Sequence, residues 1–115
     1  MIGNGDRLGK KKHEMTREEM EVARIRLPRE GEVLGVVEAL LGADRFRAKC
    51  DDGNNRIVRI PGKMRKRIWI RTGDLVLVKP WQVQSDERGD AVFRYTPTQA
   101  NWLRRKGYVK SISFE

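Results

Sequence analysis

One short basic block offers the clearest chemistry in this sequence. Residues 60–70 read Ile-Pro-Gly-Lys-Met-Arg-Lys-Arg-Ile-Trp-Ile, so four cations fall within five consecutive positions and an aromatic residue follows them. The residues concerned are Lys63, Arg65, Lys66, Arg67 and Trp69. Cations neutralise phosphates and release counterions, and an aromatic face can stack on an unpaired base. The block therefore predicts contact with RNA, although Trp69 stands between two isoleucines and is equally consistent with a half-buried core residue.

A second basic feature precedes this block, in a segment that alternates strictly from residue 44 to residue 50. One side of the alternation is cationic and consists of Arg45, Arg47 and Lys49, whereas the other side is apolar and consists of Phe46, Ala48 and Cys50. In a strand, alternate side chains point to opposite faces, so an inward apolar side would leave the cations on an outer wall. Arg59 of the following strand is expected to join them. An ordinary solvated strand face is the alternative, but residues 43–73 carry ten Lys/Arg against three Asp/Glu, which favours a phosphate-binding surface.

The composition of the whole chain agrees with a nucleic-acid partner. The 115 residues suffice for one domain, and the formal net charge of +9 is strongly basic. Cys50 is the only cysteine, which excludes an intrachain disulfide and fits a reducing cytosol. No apolar run reaches the roughly 18 residues of a membrane span, and no apolar signal segment begins the chain. A cytoplasmic protein is therefore expected.

Catalytic chemistry finds little support in the sequence. His13 is the only histidine, and it follows a lysine triplet in a polar N-terminal segment. Cysteine and histidine spacings typical of metal sites are absent, as is a Walker-type phosphate loop. The carboxylates of Asp51, Asp52, Asp86 and Asp90 are interpreted as turn formers. We therefore expect a binding protein that uses no cofactor or metal and is not an enzyme.

The hydrophobic pattern predicts a mainly β fold, a five-stranded OB-fold Greek-key barrel with a C-terminal α-helix and a flexible basic N-terminal tail. Strands are expected at residues 32–41, 44–50, 56–60, 74–81 and 91–95, with turns at 51–55 and 87–90 and a short helical or irregular connection at 62–73. Thr96, Pro97 and Gln99 form a helix start with a capping box, and Gly107 marks its end. Ala100 and Leu103 are expected to pack this helix on the barrel, and Trp81 and Trp102 are assigned to packing.

The domain organisation follows from these elements. Residues 1–21 are interpreted as a flexible tail, 22–96 as the barrel, and 97–115 as the C-terminal helix and its extension. A second capping box of the form T-x-x-E lies at Thr16–Glu19, but the following residues 22–27 favour an extended entry to the barrel. The lysines at residues 10–12 are as consistent with a solubilising tail as with an RNA contact.

The residues quoted so far resemble a known family. The block at 60–70, followed by Gly73-Asp74 and by Leu77-Val-Lys-Pro-Trp81, is similar to the archaeal and eukaryotic translation initiation factor 1A family. Asp52-Gly53, Tyr95 and Leu103-Arg-Arg-Lys-Gly-Tyr108 match as well, so the resemblance spans roughly residues 27–108. It implies an OB barrel with an added helix, in agreement with the pattern-based prediction.

The resemblance also implies a function. Members act on the small ribosomal subunit, where they occupy the decoding (A-site) region, promote subunit dissociation and support initiator tRNA binding together with other initiation factors. Carried over by position, Lys63, Arg65, Lys66, Arg67 and Trp69 would contact ribosomal RNA. The eukaryotic acidic C-terminal tail has no counterpart here, so the resemblance implies nothing about the functions of that tail, and the short form looks archaeal. A monomer with no membrane partner is expected.

Two other functions remain open on sequence grounds. A general single-strand RNA binder, or RNA chaperone of cold-shock type, would typically carry several aromatic residues on its second and third strands, where this chain offers only Phe46. A protein-interaction adaptor would instead use the basic face for an acidic partner. Tight binding to small subunits with weak binding to free oligonucleotide would favour the initiation factor over both.

Overall fold

A computed structural model of the protein describes residues 15–65 and 70–112, without the side chain of Arg65. Its helices and strands are α1 (Arg17–Ala23), β1 (Val33–Leu40), β2 (Arg45–Cys50), β3 (Asn55–Arg59), α2 (Gly62–Arg65), β4 (Leu75–Pro80), β5 (Arg88–Arg94) and α3 (Pro97–Arg105). The five strands form a closed barrel in the order β1-β2-β3-β5-β4. Strands β3 and β5 pair in parallel, and the other neighbours pair antiparallel. The expected mainly β barrel with a C-terminal helix is confirmed.

The barrel interior is filled by alternate side chains of its strands. The alternation predicted for β2 is confirmed, because Phe46, Ala48 and Cys50 are fully buried while the intervening cations are exposed. Val58 of β3 and Val76 and Val78 of β4 belong to the same cluster. Burial raises the pKa of the Cys50 thiol, as expected for a small buried hydrophobe rather than a reactive nucleophile.

A second apolar cluster lies outside the barrel, under α3. Ala100 and Leu103 of the helix are buried against Leu34, Leu75 and Leu77, so the expected packing of this helix is confirmed. The helix begins at the predicted capping box, and Gly107 adopts a φ of 85° just after its end. Trp102 packs against this cluster and stacks on Tyr108 with the ring centroids 6.0 Å apart. Helix α3 therefore covers one part of the outer barrel surface.

Hydrogen bonds join the segment before β1 to the first turn of α3 and to Tyr95, which precedes that helix. The Gln99 Nε2 donates to the Glu21 carbonyl at 2.8 Å, and Thr96 Oγ1 donates to the Glu21 carboxylate at 2.6 Å. The Tyr95 hydroxyl donates to the Arg26 carbonyl, and burial raises the pKa of this phenol. Arg26 forms a two-donor ion pair with Glu32, which lowers the pKa of the Glu32 carboxyl.

Asp51, in the β2–β3 turn, fastens the opposite end of the described chain. Its carboxylate accepts hydrogen bonds from the backbone N–H groups of Lys110, Ser111 and Ile112 and from the Ser111 hydroxyl. Burial alone would raise the pKa of Asp51, but the backbone donors of Ser111 and Lys110 outweigh it and lower that pKa. The expected turn former is thus also a clasp for residues 110–112.

Two sequence-based expectations are wrong in part. Residues 22–23 do not belong to an extended entry, because the capping box at Thr16 starts α1, which runs to Ala23, whereas residues 25–27 lie in no helix or strand. Residues 88–90 are not a turn, because they pair in parallel with residues 57–59 and belong to β5. Among the described residues, no helix is long and apolar enough to cross a membrane.

Candidate nucleic-acid interface

The strand register aligns four outward side chains across four neighbouring strands. Arg45 of β2 pairs with Arg59 of β3, Arg59 pairs with Asp90 of β5, and Asp90 pairs with Lys79 of β4. Neighbouring strands lie about 4.8 Å apart, so this first row spans roughly 14 Å. Arg45, Arg59 and Lys79 are exposed, and Asp90 is about one third exposed. The row therefore lies on the part of the outer barrel that α3 leaves uncovered.

A second row lies beside the first along the same strands. Arg47 of β2 pairs with Ile57 of β3, and Ile57 pairs with Arg88 of β5. The Arg88 carbonyl accepts the backbone N–H of Trp81 at 3.1 Å, which places Trp81 at the far end of this row. The basic wall is defined here as the two rows together, namely Arg45, Arg59, Asp90, Lys79, Arg47, Ile57, Arg88 and Trp81.

Carboxylates partly neutralise the basic wall. Ion pairs join Arg45 to Asp44 at 3.3 Å, Arg47 to Glu38 at 3.6 Å and Arg59 to Asp90 at 3.2 Å. The arginine side chains of these pairs are 49 to 58% exposed. Exposed ion pairs contribute only about 0–1 kcal/mol, so a phosphate can replace the carboxylate at small cost. Three of the cations in the wall thus have weak, exchangeable carboxylate partners.

The basic connection between β3 and β4 leaves the barrel beside the start of β2 and returns to it beside Val37 of β1. The Ile60 N–H donates to the Asp44 carbonyl at 2.7 Å, just before α2 begins, and Met64 of α2 is buried in the barrel core. At the other end, the Gly73 N–H donates to the Val37 carbonyl at 2.8 Å. Because α2 begins two residues after Ile60, the exposed Lys63 of α2 lies near the end of the barrel at which β2 begins.

The structure therefore groups some of the predicted site residues and leaves others undescribed. Arg45, Arg47 and Arg59 lie on one outer surface of neighbouring strands, and Lys63 is exposed on the helix that follows β3. Lys66, Arg67 and Trp69 lie outside the described residues, as does the side chain of Arg65. Their roles stay predictions.

Sequence reasoning missed five members of the basic wall, and three of these, Lys79, Arg88 and Trp81, could contact RNA. Lys79 and Trp81 flank a proline at the end of an apolar strand, and Arg88 fell in the expected turn, so neither position suggested a shared surface. The pairing of β5 with both β3 and β4 brings them together. Trp81 in particular is absent from the two apolar clusters, and its indole Nε1–H donates to Asp90 at 3.0 Å.

Arg56 has a buried side chain, unlike the exposed arginines of the basic wall. It follows the inward parity of Val58, and its side chain is only 3% exposed. Its guanidinium donates to both Asp52 carboxylate oxygens at 3.0 and 2.8 Å and to the Ser85 carbonyl at 2.6 Å. The bond from Arg56 lowers the pKa of Asp52, and the pKa of Arg56 is raised in turn. Arg56 therefore ties the β2–β3 turn to the β4–β5 loop rather than facing solvent.

The described part of the chain offers little for metal chemistry. Within residues 15–65 and 70–112, no group of three or more His, Cys, Asp and Glu side chains could hold a metal ion. The carboxylates with lowered pKa, at Glu32, Asp51 and Asp52, are engaged in structural hydrogen bonds. What this surface can do chemically is to bind a polyanion.

Comparison with known proteins gives concordant matches. The family model described as "Translation initiation factor 1A / IF-1" matches residues 22–114. A translation initiation factor 1A of Methanothermobacter thermautotrophicus is 60% identical over 90 residues, which cover 78% of this chain and 91% of that protein. The translation initiation factor 1A of Thermococcus kodakarensis is 52% identical over 103 residues, covering 88% of each chain. The solution structure of translation initiation factor IF-1 from the Wolbachia endosymbiont of Brugia malayi shares 36% identity and covers 60% of this chain and 82% of its own, with a TM-score of 0.45.

Proposed function

The chain belongs to the translation initiation factor 1A / IF-1 family, and from that premise we propose that it binds small-subunit ribosomal RNA at the decoding (A-site) region. There it promotes subunit dissociation and supports the binding of initiator tRNA, together with other initiation factors. It acts as a cytoplasmic monomer, by binding alone and without catalysis.

The continuity of the basic wall across four strands carries this proposal. A polyanion needs several cations at once, and isolated surface cations are expected on any basic protein. Here the register fixes Arg45, Arg59 and Lys79 in one row and Arg47 and Arg88 in the next. Rigid strands hold these positions, so the cations do not have to be gathered when the ligand binds.

The eight residues predicted from the sequence to contact RNA are all retained in this proposal. They are Arg45, Arg47, Arg59, Lys63, Arg65, Lys66, Arg67 and Trp69. Arginine can offer two parallel donors to a phosphate, so exchange of an exposed carboxylate for a phosphate keeps each guanidinium satisfied. Lys63 follows Arg59 closely in the chain and stands on the helix that plugs the same end of the barrel.

A charge-matched pair of double variants tests the proposal. We expect Arg45→Gln with Arg59→Gln to weaken binding to purified small subunits and to reduce the dependence of log Kd on log salt by up to about two phosphate contacts. The control, Lys106→Gln with Lys110→Gln, removes the same charge from exposed positions beside α3 and the residues clasped by Asp51. Filter binding across a salt series measures both quantities, and circular dichroism checks that each variant is folded.

The outcome separates this function from the two alternatives. Equal losses in both double variants would mean that only net charge matters, and the assigned surface would be rejected. Equal affinity of the wild type for any single strand and for small subunits would favour a general RNA binder of cold-shock type. No binding to RNA or to subunits would favour a protein-interaction adaptor.

A further inference from the structure

Trp81 lies where the basic wall meets the loop between β4 and β5, outside both apolar clusters. It is half-buried, yet it belongs to neither apolar cluster, whereas Trp102 packs against the cluster under α3. Next to it, Val83 is 75% exposed. An aromatic ring that is only partly covered by its own protein retains a face for another planar group.

The orientation of this ring is fixed by a hydrogen bond at its edge. The indole Nε1–H donates to Asp90 Oδ1 at 3.0 Å, and the same carboxylate pairs with Arg59. The polar edge of the ring is thus satisfied within the protein, so its free surface is the apolar face. Trp81 lines an open surface cleft of about 460 Å³ together with Lys79, Val83 and Asp90.

The charges around Trp81 select the class of ligand. Lys79 lies two residues before it in β4, and the Arg88 carbonyl accepts the Trp81 backbone N–H at 3.1 Å. A flat apolar face between two cations suits a nucleotide, since the base can stack while the flanking phosphates meet the cations. An apolar peptide would gain nothing from the cations, and a lone anion would gain nothing from the ring.

We propose that Trp81 is a stacking platform for an unpaired RNA base at the β4–β5 edge of the basic wall. The inference deepens the proposed function and rests on it for the identity of the polyanion. It adds a base contact to a surface that otherwise binds phosphates. A single strand of RNA bound along the wall would then run from β2, across the cations, to Trp81, where a base would stack on the indole.

The test uses two probes that differ only in their bases. One is a fluorescein-labelled oligoadenylate of about ten nucleotides, within the site size of one OB fold, and the other is an abasic strand of the same length. We expect Trp81→Ala to weaken oligoadenylate binding about tenfold or more, the effect of losing one base stack, and to leave abasic binding unchanged. The salt dependence should stay as in the wild type, because no phosphate contact is removed. Trp81→Phe, which keeps an aromatic face, should recover most of the affinity.

Three results would overturn the inference. They are unchanged oligoadenylate binding by a folded Trp81→Ala variant, an equal loss with the abasic strand, and a loss that Trp81→Phe does not relieve. An equal loss would show that the ring acts only by positioning Asp90 and Arg59. The proposed function is judged separately, by wild-type binding to small subunits, so either idea can fail alone. Thermal unfolding of each variant, followed by circular dichroism, shows whether a loss of oligoadenylate binding is caused by misfolding. If Trp81→Ala is misfolded, the binding of Trp81→Phe decides whether the inference holds.

Discussion

Asp90 is the only carboxylate among the eight residues of the basic wall, and removing its charge should strengthen RNA binding. It accepts hydrogen bonds from Arg59 Nε at 3.2 Å and from the Trp81 indole N–H at 3.0 Å. Asparagine has the same shape, and its Oδ1 can still accept the indole N–H. Asp90→Asn therefore changes the charge of the wall with little change in its geometry.

The size of the effect follows from the exposure of the pair. The side chains of Arg59 and Asp90 are 58% and 34% exposed, so their interaction is screened by water. Two unit charges about 4 Å apart in a water-like dielectric interact by about 1 kcal/mol. A phosphate that binds Arg59 no longer competes with this carboxylate, so affinity should rise about fivefold at low salt. If one more phosphate is neutralised, the salt slope should steepen by about 0.7 to 0.9.

Titration of labelled RNA or of small subunits across a salt series measures both values. Glu18→Gln is the matched control, since it removes one carboxylate that pairs with Arg105 on the helical side, at 3.7 Å, and should leave affinity nearly unchanged. Folding stability should fall by no more than about 1 kcal/mol in Asp90→Asn, because the lost ion pair is exposed. Weaker RNA binding by a folded Asp90→Asn protein, or an equal gain in Glu18→Gln, would refute the assignment of the wall.

Two further predictions concern the fold that carries the wall. A Cβ at Gly89 would lie 2.7 Å from Val78 Cγ1 and 3.1 Å from the Lys79 carbonyl oxygen. Gly89→Ala should therefore lower the free energy of unfolding, measured by urea titration, by about 1–3 kcal/mol. An unfolding midpoint equal to that of the wild type would contradict this prediction. Adding Val78→Ala should cost less than the two single losses combined, since it removes the nearest clashing atom. Asp51→Asn should release residues 110–112 and cost about 2 kcal/mol at pH 7. The folded state lowers the pKa of Asp51, so the stabilisation by its carboxylate is complete well above the unfolded pKa of about 3.9 and is lost as pH falls through the folded pKa. The wild type and Asp51→Asn should therefore converge in stability below about pH 4.

The parts of the fold that depend on local pattern could be predicted from the sequence. Alternation from Arg45 to Cys50 gave the correct inward and outward faces, because a buried strand face tolerates few cations. The capping box at Thr96 placed the start of α3, because its two hydrogen bonds involve only residues three positions apart. The same alternation would have placed Arg56 with Val58 on the inner face, had it been applied to β3.

Features that depend on distant pairing could not be predicted in this way. Arg-Gly-Asp at 88–90 has the composition of a turn, yet these residues pair in parallel with a strand about 30 positions earlier. Gly89 serves there as a close-contact position against Val78 and not as a turn residue. For the same reason Lys79 and Trp81 could not be assigned to the surface that contains Arg45, since only the register across three ladders joins them.

The parallel ladder between β3 and β5 also has a consequence for biogenesis. Arg45 and Lys79 occupy one row only after this ladder has formed, and β5 is the last of the five barrel strands to leave the ribosome during synthesis. A growing chain that ends before β5 cannot display the complete row, so it cannot compete with the finished protein for the same ligand. Any ligand of the full row must in turn stabilise the folded state by mass action, and saturating RNA should raise the melting temperature of the intact chain.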